Sequence, residues 1–190
     1  MNTVRDVGGG QYGEIGDFIQ SGNYRITELQ AALFIGQFSR LEQQNAHRRR
    51  QGALLDALLE DIDGVLPMKG DPRETKKVYF NYTFRYDAYD IGLDTAEFRT
   101  ALTQRLGFDV SSCYQPLNNC SLYRPLTKKR HRLGPSYERA IDPSRFHVPV
   151  AERIYRDEAV NFPHRILLCS DEQTTFIADT IKELLNDTNV

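Results

Sequence analysis

The sequence predicts an α+β fold in which a long bridging helix leads into a short antiparallel sheet with helices on one face. Three observations carry that expectation. Thr27-Glu28-Leu29-Gln30 is a capping box, threonine at the cap and glutamine three residues on, and it opens a helix running to about Ile62. Val78, Phe80, Tyr82, Phe84 and Tyr86 alternate with Tyr79, Asn81, Thr83 and Arg85, the two-residue period of a strand. Beyond that strand, helix and strand signals follow each other in short pieces without an internal repeat.

Residues 1–22 do not read as the start of a domain. Gly8, Gly9, Gly10, Gly13, Gly16 and Gly22 crowd a stretch whose apolar content is little more than Ile15, Phe18 and Ile19, and glycine at that density is costly to order. It reads as a flexible glycine-rich arm, or as a loop ordered only against a partner surface. The helix that follows changes character along its length. From Leu29 to Leu41 apolar residues occupy most of the circumference, which marks burial on more than one side. From Glu42 to Gln51 only Ala46 is apolar, so the middle reads as wet. From Leu54 a single stripe returns through Leu55, Leu58, Leu59 and Ile62, and Gly64 is a natural stop. Such a helix bridges two bodies.

The remaining elements are shorter. Asp94-Thr95-Ala96-Glu97 caps a helix with Phe98, Ala101, Leu102 and Leu106 on its face and Gly107 at its end. Phe108 to Tyr114 reads as a second strand ended by Pro116. Residues 115–146 read as irregular, with a helical turn near Tyr137–Ile141, and Val148 to Asp157 as helical. Ala159 to Phe162 is a third strand. Ser170-Asp171-Glu172-Gln173 is another capping box, opening a last helix with Phe176, Ile177, Ile181, Leu184 and Leu185 inward.

Composition bounds the class. The chain has 190 residues, 40% hydrophobic and 26% charged, which suits one ordinary domain or one domain plus an arm. A formal charge of -2 gives no general attraction to nucleic acid or to an anionic membrane. No apolar run approaches the roughly 20 residues that span a bilayer, and the N-terminus has no apolar signal core. Cys113, Cys120 and Cys169 fit no metal spacing and leave one thiol over in any disulfide scheme, as expected of reduced cysteines in a cytoplasmic protein.

Few residues carry a chemical signal. Gly8-Gly9-Gly10 lacks the preceding strand and the spacing of a phosphate loop. His47, His131, His147 and His164 are scattered, so no metal site is expected. Lys128-Lys129-Arg130-His131-Arg132 reads as a solvated basic loop, since no interleaved aromatics accompany it. Asn118 and Asn119, after Tyr114-Gln115-Pro116-Leu117, are polar loop residues beside aromatics and hence site candidates. Gly22-Asn23-Tyr24-Arg25 differs by its position just before a helix cap. An amide, a phenol and a guanidinium beside a positive helix end suit a phosphate or a carboxylate. Equally, Asn23 could stabilise a turn and Arg25 pair with a surface acid.

Gly22-Asn23-Tyr24-Arg25-Ile26-Thr27-Glu28-Leu29-Gln30-Ala31-Ala32, continuing to Gln37 and Leu41, resembles a hallmark of the DegT/DnrJ/EryC1/StrS aminotransferases. The resemblance continues through Arg48-Arg49-Arg50, Gly64-Val65-Leu66-Pro67, the aromatic strand, Tyr114-Gln115-Pro116-Leu117 with Leu122-Tyr123, and Pro149-Val150-Ala151-Glu152-Arg153. It covers about residues 20–187. The stretch Tyr114–Leu133, with Ile141-Asp142-Pro143-Ser144-Arg145-Phe146, is most similar to the branch acting on scyllo-inosose and 2-deoxy-scyllo-inosose.

The resemblance implies the C-terminal small domain of a fold-type I enzyme dependent on pyridoxal 5'-phosphate, which moves an amino group from glutamine or glutamate to a keto-cyclitol or keto-sugar. It implies three parts: a 1–22 arm, a 23–62 cofactor-edge motif with the bridging helix, and a 63–190 small α+β domain. Asn23 would reach the cofactor phosphate of the other subunit, with Tyr24 and Arg25 shaping that edge. Tyr114 and Asn118 would lie toward the substrate, although many relatives carry histidine where this chain has Asn118. The family's Schiff-base lysine lies in a large domain ahead of the Asn-Tyr-Arg motif. Here 22 residues precede Asn23, and Lys69, Lys76, Lys77, Lys128, Lys129 and Lys182 all follow it, none in the family's serine-and-lysine context. The expectation is therefore a part of an aminotransferase without a catalytic residue of its own, inactive alone and binding cofactor poorly. It should self-associate or pair with a large-domain-bearing relative. The alternative is a non-catalytic interaction module derived from the small domain.

Overall fold

The computed structural model describes residues 26–89, 91–120 and 133–188. They fall into two compact units, each described here by itself. One comprises Glu28–Tyr114 with the stretch from Arg153 onward; the other contains 115–120 and 133–152 together with Ile26 and Thr27.

The first unit is built on α1 (Glu28–Leu59), a helix of 32 residues that starts one position after Thr27, where the capping box predicts. At 1.5 Å per residue it is roughly 48 Å long. After a turn in which Ile62 N–H donates to the Leu59 carbonyl, Gly64 turns the chain into β1 (Val65–Pro67). β2 (Asn81–Tyr86), α2 (Thr95–Leu106), β3 (Ala159–Pro163) and α5 (Asp171–Thr188) complete the unit. The sheet order is β1-β2-β3 and both pairs are antiparallel, with Val65 opposite Tyr86, Phe84 opposite Val160 and Tyr82 opposite Phe162. The α+β class with a short antiparallel sheet is therefore as expected.

Alternation sorts the two sheet faces. Tyr82, Phe84, Tyr86, Val160 and Phe162 are buried on one face, with Phe84 edge-on to Phe162 at 5.4 Å. Against them pack Leu55 and Leu59 of α1, Phe98 and Leu102 of α2, and Ile177, Ile181, Leu184 and Leu185 of α5. Burying a leucine of this kind contributes about 1.5–3 kcal/mol over leaving it in water. The opposite face carries Thr83, hydrogen-bonded to Asn161, and Arg85, which pairs with Glu158 at 2.7 Å. The caps of α2 and α5 both form as read: Glu97 N–H donates to Asp94 at 2.8 Å and Gln173 N–H to Ser170 Oγ at 3.4 Å.

The second unit holds a 3-10 turn at Leu117–Asn119, α3 (Pro135–Ala140), and a further 3-10 turn at Pro143–Arg145. α4 (Pro149–Arg153) begins in it and runs on as a π-helical turn, Ile154–Glu158, so the 148–157 stretch is helical as expected.

Four expectations are corrected. Phe108–Tyr114 forms no strand: Val110 N–H is taken by Thr103 Oγ1 at 3.0 Å, and only Ser111 exchanges backbone bonds with Asn161. The β2 ladder begins at Asn81 rather than Val78. Val78 and Phe80 are exposed, while Tyr79 turns its ring onto α1 at Gly52. Phe176 is exposed, because the buried line of α5 runs through Thr174, Ile177, Ala178 and Ile181, and residue 176 falls beside it. The middle of α1 is not wet: Arg48, Gln51 and Gly52 are buried where the 3-10 segment His164–Leu168 and the start of α5 meet the helix. Gln51 donates to Asp171 at 2.6 Å and accepts from Thr174 at 2.5 Å. β1 itself is absent from the sequence reading, since three residues are too few to show a period.

Two outcomes follow from this packing. Gly64 sits at φ +76°, and a Cβ there would stand 2.3 Å from Ile91 Cδ1 and 3.1 Å from the Asp87 carbonyl; Gly92, at φ +75°, faces open space. The left-handed conformation alone costs an alanine about 1–2 kcal/mol. Gly64→Ala should therefore lower the urea midpoint more than Gly92→Ala does; equal losses would show that Ile91 and Asp87 yield without cost. The second outcome concerns alkali. Burial first, then the nearby Asp94 and Asp87 carboxylates, push the Tyr86 phenol up to about 12, and burial with Asp56 pushes Tyr82 up as well. A phenol whose pKa is raised by folding stabilises fully below its unfolded value of about 10. That contribution is lost as pH rises toward 12, at about 1.4 kcal/mol per pH unit per tyrosine. Unfolding free energy measured across this window should fall steeply, and the slope should shrink in Tyr86→Phe.

Candidate functional site

The residues singled out by sequence are distributed unevenly. Asn23, Tyr24 and Arg25 lie outside the described residues. Tyr114 belongs to the first unit and is 80% exposed. Asn118 belongs to the second, in the 3-10 turn after Pro116. There its Nδ2 donates to Glu152 Oε1 at 3.3 Å, and its Oδ1 is buried without a hydrogen-bond partner among the described residues. The structure thus joins Asn118 to Glu152, a residue that sequence reasoning had placed only in a motif, and leaves Asn118 an acceptor oxygen to spare. Fixing the amide through its nitrogen determines which end it presents.

Among the described residues no cluster of histidine, cysteine and acid could hold a metal ion. His47 Nε2 lies 2.9 Å from the Cys169 carbonyl, which ties α1 to the start of α5. The described lysines offer no cofactor anchor. Lys76 pairs with Glu42 at 2.6 Å, which holds that carboxyl below its usual range, and Lys77 lies 4.0 Å from Asp56; Lys69 and Lys182 are exposed. None stands buried beside a carboxylate, so no step of cofactor chemistry is assigned to them. No helix among the described residues is long and apolar enough to cross a membrane.

Two surfaces of the first unit could receive something. An open groove of about 750 Å³ beside β1 is lined by Asp56, Glu60, Leu66, Met68, Lys69 and Arg85. Its charges are largely spent within the chain: Asp56 accepts from Tyr82 at 2.6 Å and Arg85 pairs with Glu158. The other surface is the first half of α1. Leu29, Leu33, Phe34, Ile35 and Phe38 are each more than 60% exposed, and Phe34 and Phe38 stack on each other at 6.0 Å. Ile35 faces nearly the opposite way from Leu33 around the helix, so two sides are bare. Monomeric proteins rarely leave so many adjoining large apolar side chains in water. The sequence marks this stretch as buried on several sides; the described residues do not supply that burial.

Comparison with known proteins places these features. Over 173 residues the chain is 39% identical to the L-glutamine:2-deoxy-scyllo-inosose aminotransferase of Streptomyces kanamyceticus, covering 90% of this chain and 40% of that protein. It is 31% identical over 166 residues to the L-glutamine:scyllo-inosose aminotransferase of Streptomyces griseus, covering 87% and 39%. Among solved structures, 3-amino-5-hydroxybenzoic acid synthase superposes with a TM-score of 0.61 at 28% identity, over 89% of this chain and 41% of that one. DesI, solved with its TDP-sugar product, shares the fold at a TM-score of 0.61 and 17% identity. The chain therefore spans about two fifths of the length of these relatives. Residues 8–181 match the DegT/DnrJ/EryC1/StrS aminotransferase family, and the chain belongs to it.

Proposed function

We propose that this chain supplies the small-domain part of a cytoplasmic, pyridoxal-phosphate-dependent aminotransferase that moves the amino group of glutamine to the ring ketone of an inosose-type cyclitol. The observation that carries the reading is the similarity, over 90% of the chain, to aminotransferases named for glutamine and 2-deoxy-scyllo-inosose. Pyridoxal 5'-phosphate, when bound, supplies the electron sink for the transfer. The chain's own residues bind and orient. Asn23 reaches the cofactor phosphate across a subunit boundary, and Tyr24 and Arg25 shape that edge. Tyr114 and Asn118 face the substrate; the buried Asn118 Oδ1, with its nitrogen held by Glu152, suits a donating ring hydroxyl. The lysine that holds the cofactor comes from a separate cofactor domain, and the bare half of α1 is the surface that meets it, within a homo-oligomer.

The test is reconstitution. Purified chain given pyridoxal phosphate, glutamine and 2-deoxy-scyllo-inosose should form no amino-cyclitol by mass spectrometry. Co-expression with the part of the Streptomyces kanamyceticus relative outside the matched region should give turnover. In that complex Asn23→Ala should release cofactor more readily, by about tenfold for one lost bond to a charged group. Turnover by the chain alone would overturn the division of labour.

A further inference from the structure

Arg48 presents an imbalance that the fold does not resolve. It is 7% exposed, on the α1 face that also buries Gln51, Gly52, Leu55 and Leu59. A buried guanidinium normally meets a carboxylate, because taking the charge out of water without one is unfavourable. Here Nη1 donates to the Asn45 side chain at 3.1 Å, Nε is buried with no partner, and no acid pairs with it among the described residues. Its neighbour Arg49 repeats the pattern. Among the described residues its buried Nη1 has no hydrogen-bond partner, and its one acid, Glu42 at 3.5 Å, is held more closely by Lys76 at 2.6 Å. Arg50, by contrast, is paired within the unit, 3.0 Å from Asp171.

The direction of Arg48 is informative. Side chains on a helix lean toward its N-terminus. The bond to Asn45, three residues earlier, holds the guanidinium along the turn between the packed half of α1 and the bare half. Leu41, Phe38 and Phe34 continue from Asn45 at alternating three- and four-residue steps, all exposed. The unpaired charge therefore sits at the edge of the unpartnered apolar face.

We infer that Arg48 is the charged anchor of the surface that covers α1, and that its counter-ion is an aspartate or glutamate on the apolar docking face of the cofactor domain. On the functional reading above, that domain is the one occupant of this surface. The match covers 40% of each of these relatives, so each carries, outside the matched part, a further body about one and a half times its size. Charge complementarity narrows its chemistry: apolar against Leu33, Phe34 and Phe38, acidic against Arg48 and Arg49. A guanidinium gives such a contact orientation as well as attraction, since its planar fork fits a carboxylate in one geometry.

The two states of the chain make opposite demands on Arg48, and this gives the test. In the free chain, Arg48→Met removes an uncompensated buried charge while keeping the aliphatic stem, so the thermal midpoint should rise. In the complex with the co-expressed cofactor part of the Streptomyces kanamyceticus relative, the same change should weaken association by about 30-fold or more, as loss of one member of a buried charge pair does. Arg48→Lys should fold and lose a smaller part of the affinity, and Arg50→Met should leave affinity within about threefold, its partner being internal. A midpoint that falls in Arg48→Met, or equal affinity of Arg48→Met and wild type, would overturn the anchor while leaving the functional reading intact. A wild-type chain that fails to capture the cofactor part at all would overturn both. A dimer of the chain alone, seen by light scattering and lost in Arg48→Met, would assign the carboxylate to a second copy and overturn the choice of occupant.

Discussion

Leu55 and Leu59, a turn apart near the end of α1, are wholly buried against the aromatic face of the sheet, and the rest of the first unit is arranged around that contact. Because they sit at the C-terminal end of a 32-residue helix, seating them on Tyr82, Phe84 and Phe162 leaves the other end to be placed by rigidity alone. A helix holds direction through its own hydrogen bonds, so the orientation fixed at Leu59 is transmitted to Leu29. α2 and α5 then close the same face, and β1 and β3 flank β2 with the register that keeps its aromatics inward.

A polar layer above the leucines fixes the rotation of α1 as well as its position. Gln51 bridges Asp171 and Thr174 in one direction, and His47 meets the Cys169 carbonyl in the next turn up. Apolar contacts tolerate small rotations of a helix; a buried amide with both ends engaged does not, since a turn of the helix would strand its donor and acceptor. The bare side chains from Leu29 to Leu41 are therefore presented at defined angles. A docking surface needs that property, and a merely solvated helix does not.

Much of this was legible in the sequence, for identifiable reasons. Capping boxes are local, so those at Asp94 and Ser170 could be read and both form. The aromatic alternation of β2 is a strong period, and it found the strand while overrunning its start: Val78 and Phe80 keep the pattern but have no ladder partner, and Tyr79 is drawn off to Gly52. What failed depended on long-range contact. Gln51 and Arg48 look like solvated residues until Asp171 and the 164–168 segment arrive from more than a hundred positions away. Phe108–Tyr114 has strand-like composition, and one side-chain hydroxyl, Thr103, takes the backbone donor that a ladder would need. Of the candidate site, the Asn118–Glu152 pair was half visible, because Glu152 stood out only as part of a motif.

The same separation of local from distant information bears on how such a chain divides a site. Of the residues read as touching substrate, Tyr114 lies exposed between elements and Asn118 sits in a 3-10 turn with its amide nitrogen held by Glu152. A site shared between bodies loses its function when they misalign by even about an ångström. Apolar contact along α1 supplies attraction but slides easily; a charge that is unfavourable until matched penalises every register but one. Arg48, buried at the edge of the bare face with Asn45 as its one hydrogen-bond partner among the described residues, has the placement to impose that penalty. The free chain is destabilised by it, and the docked one is aligned by it.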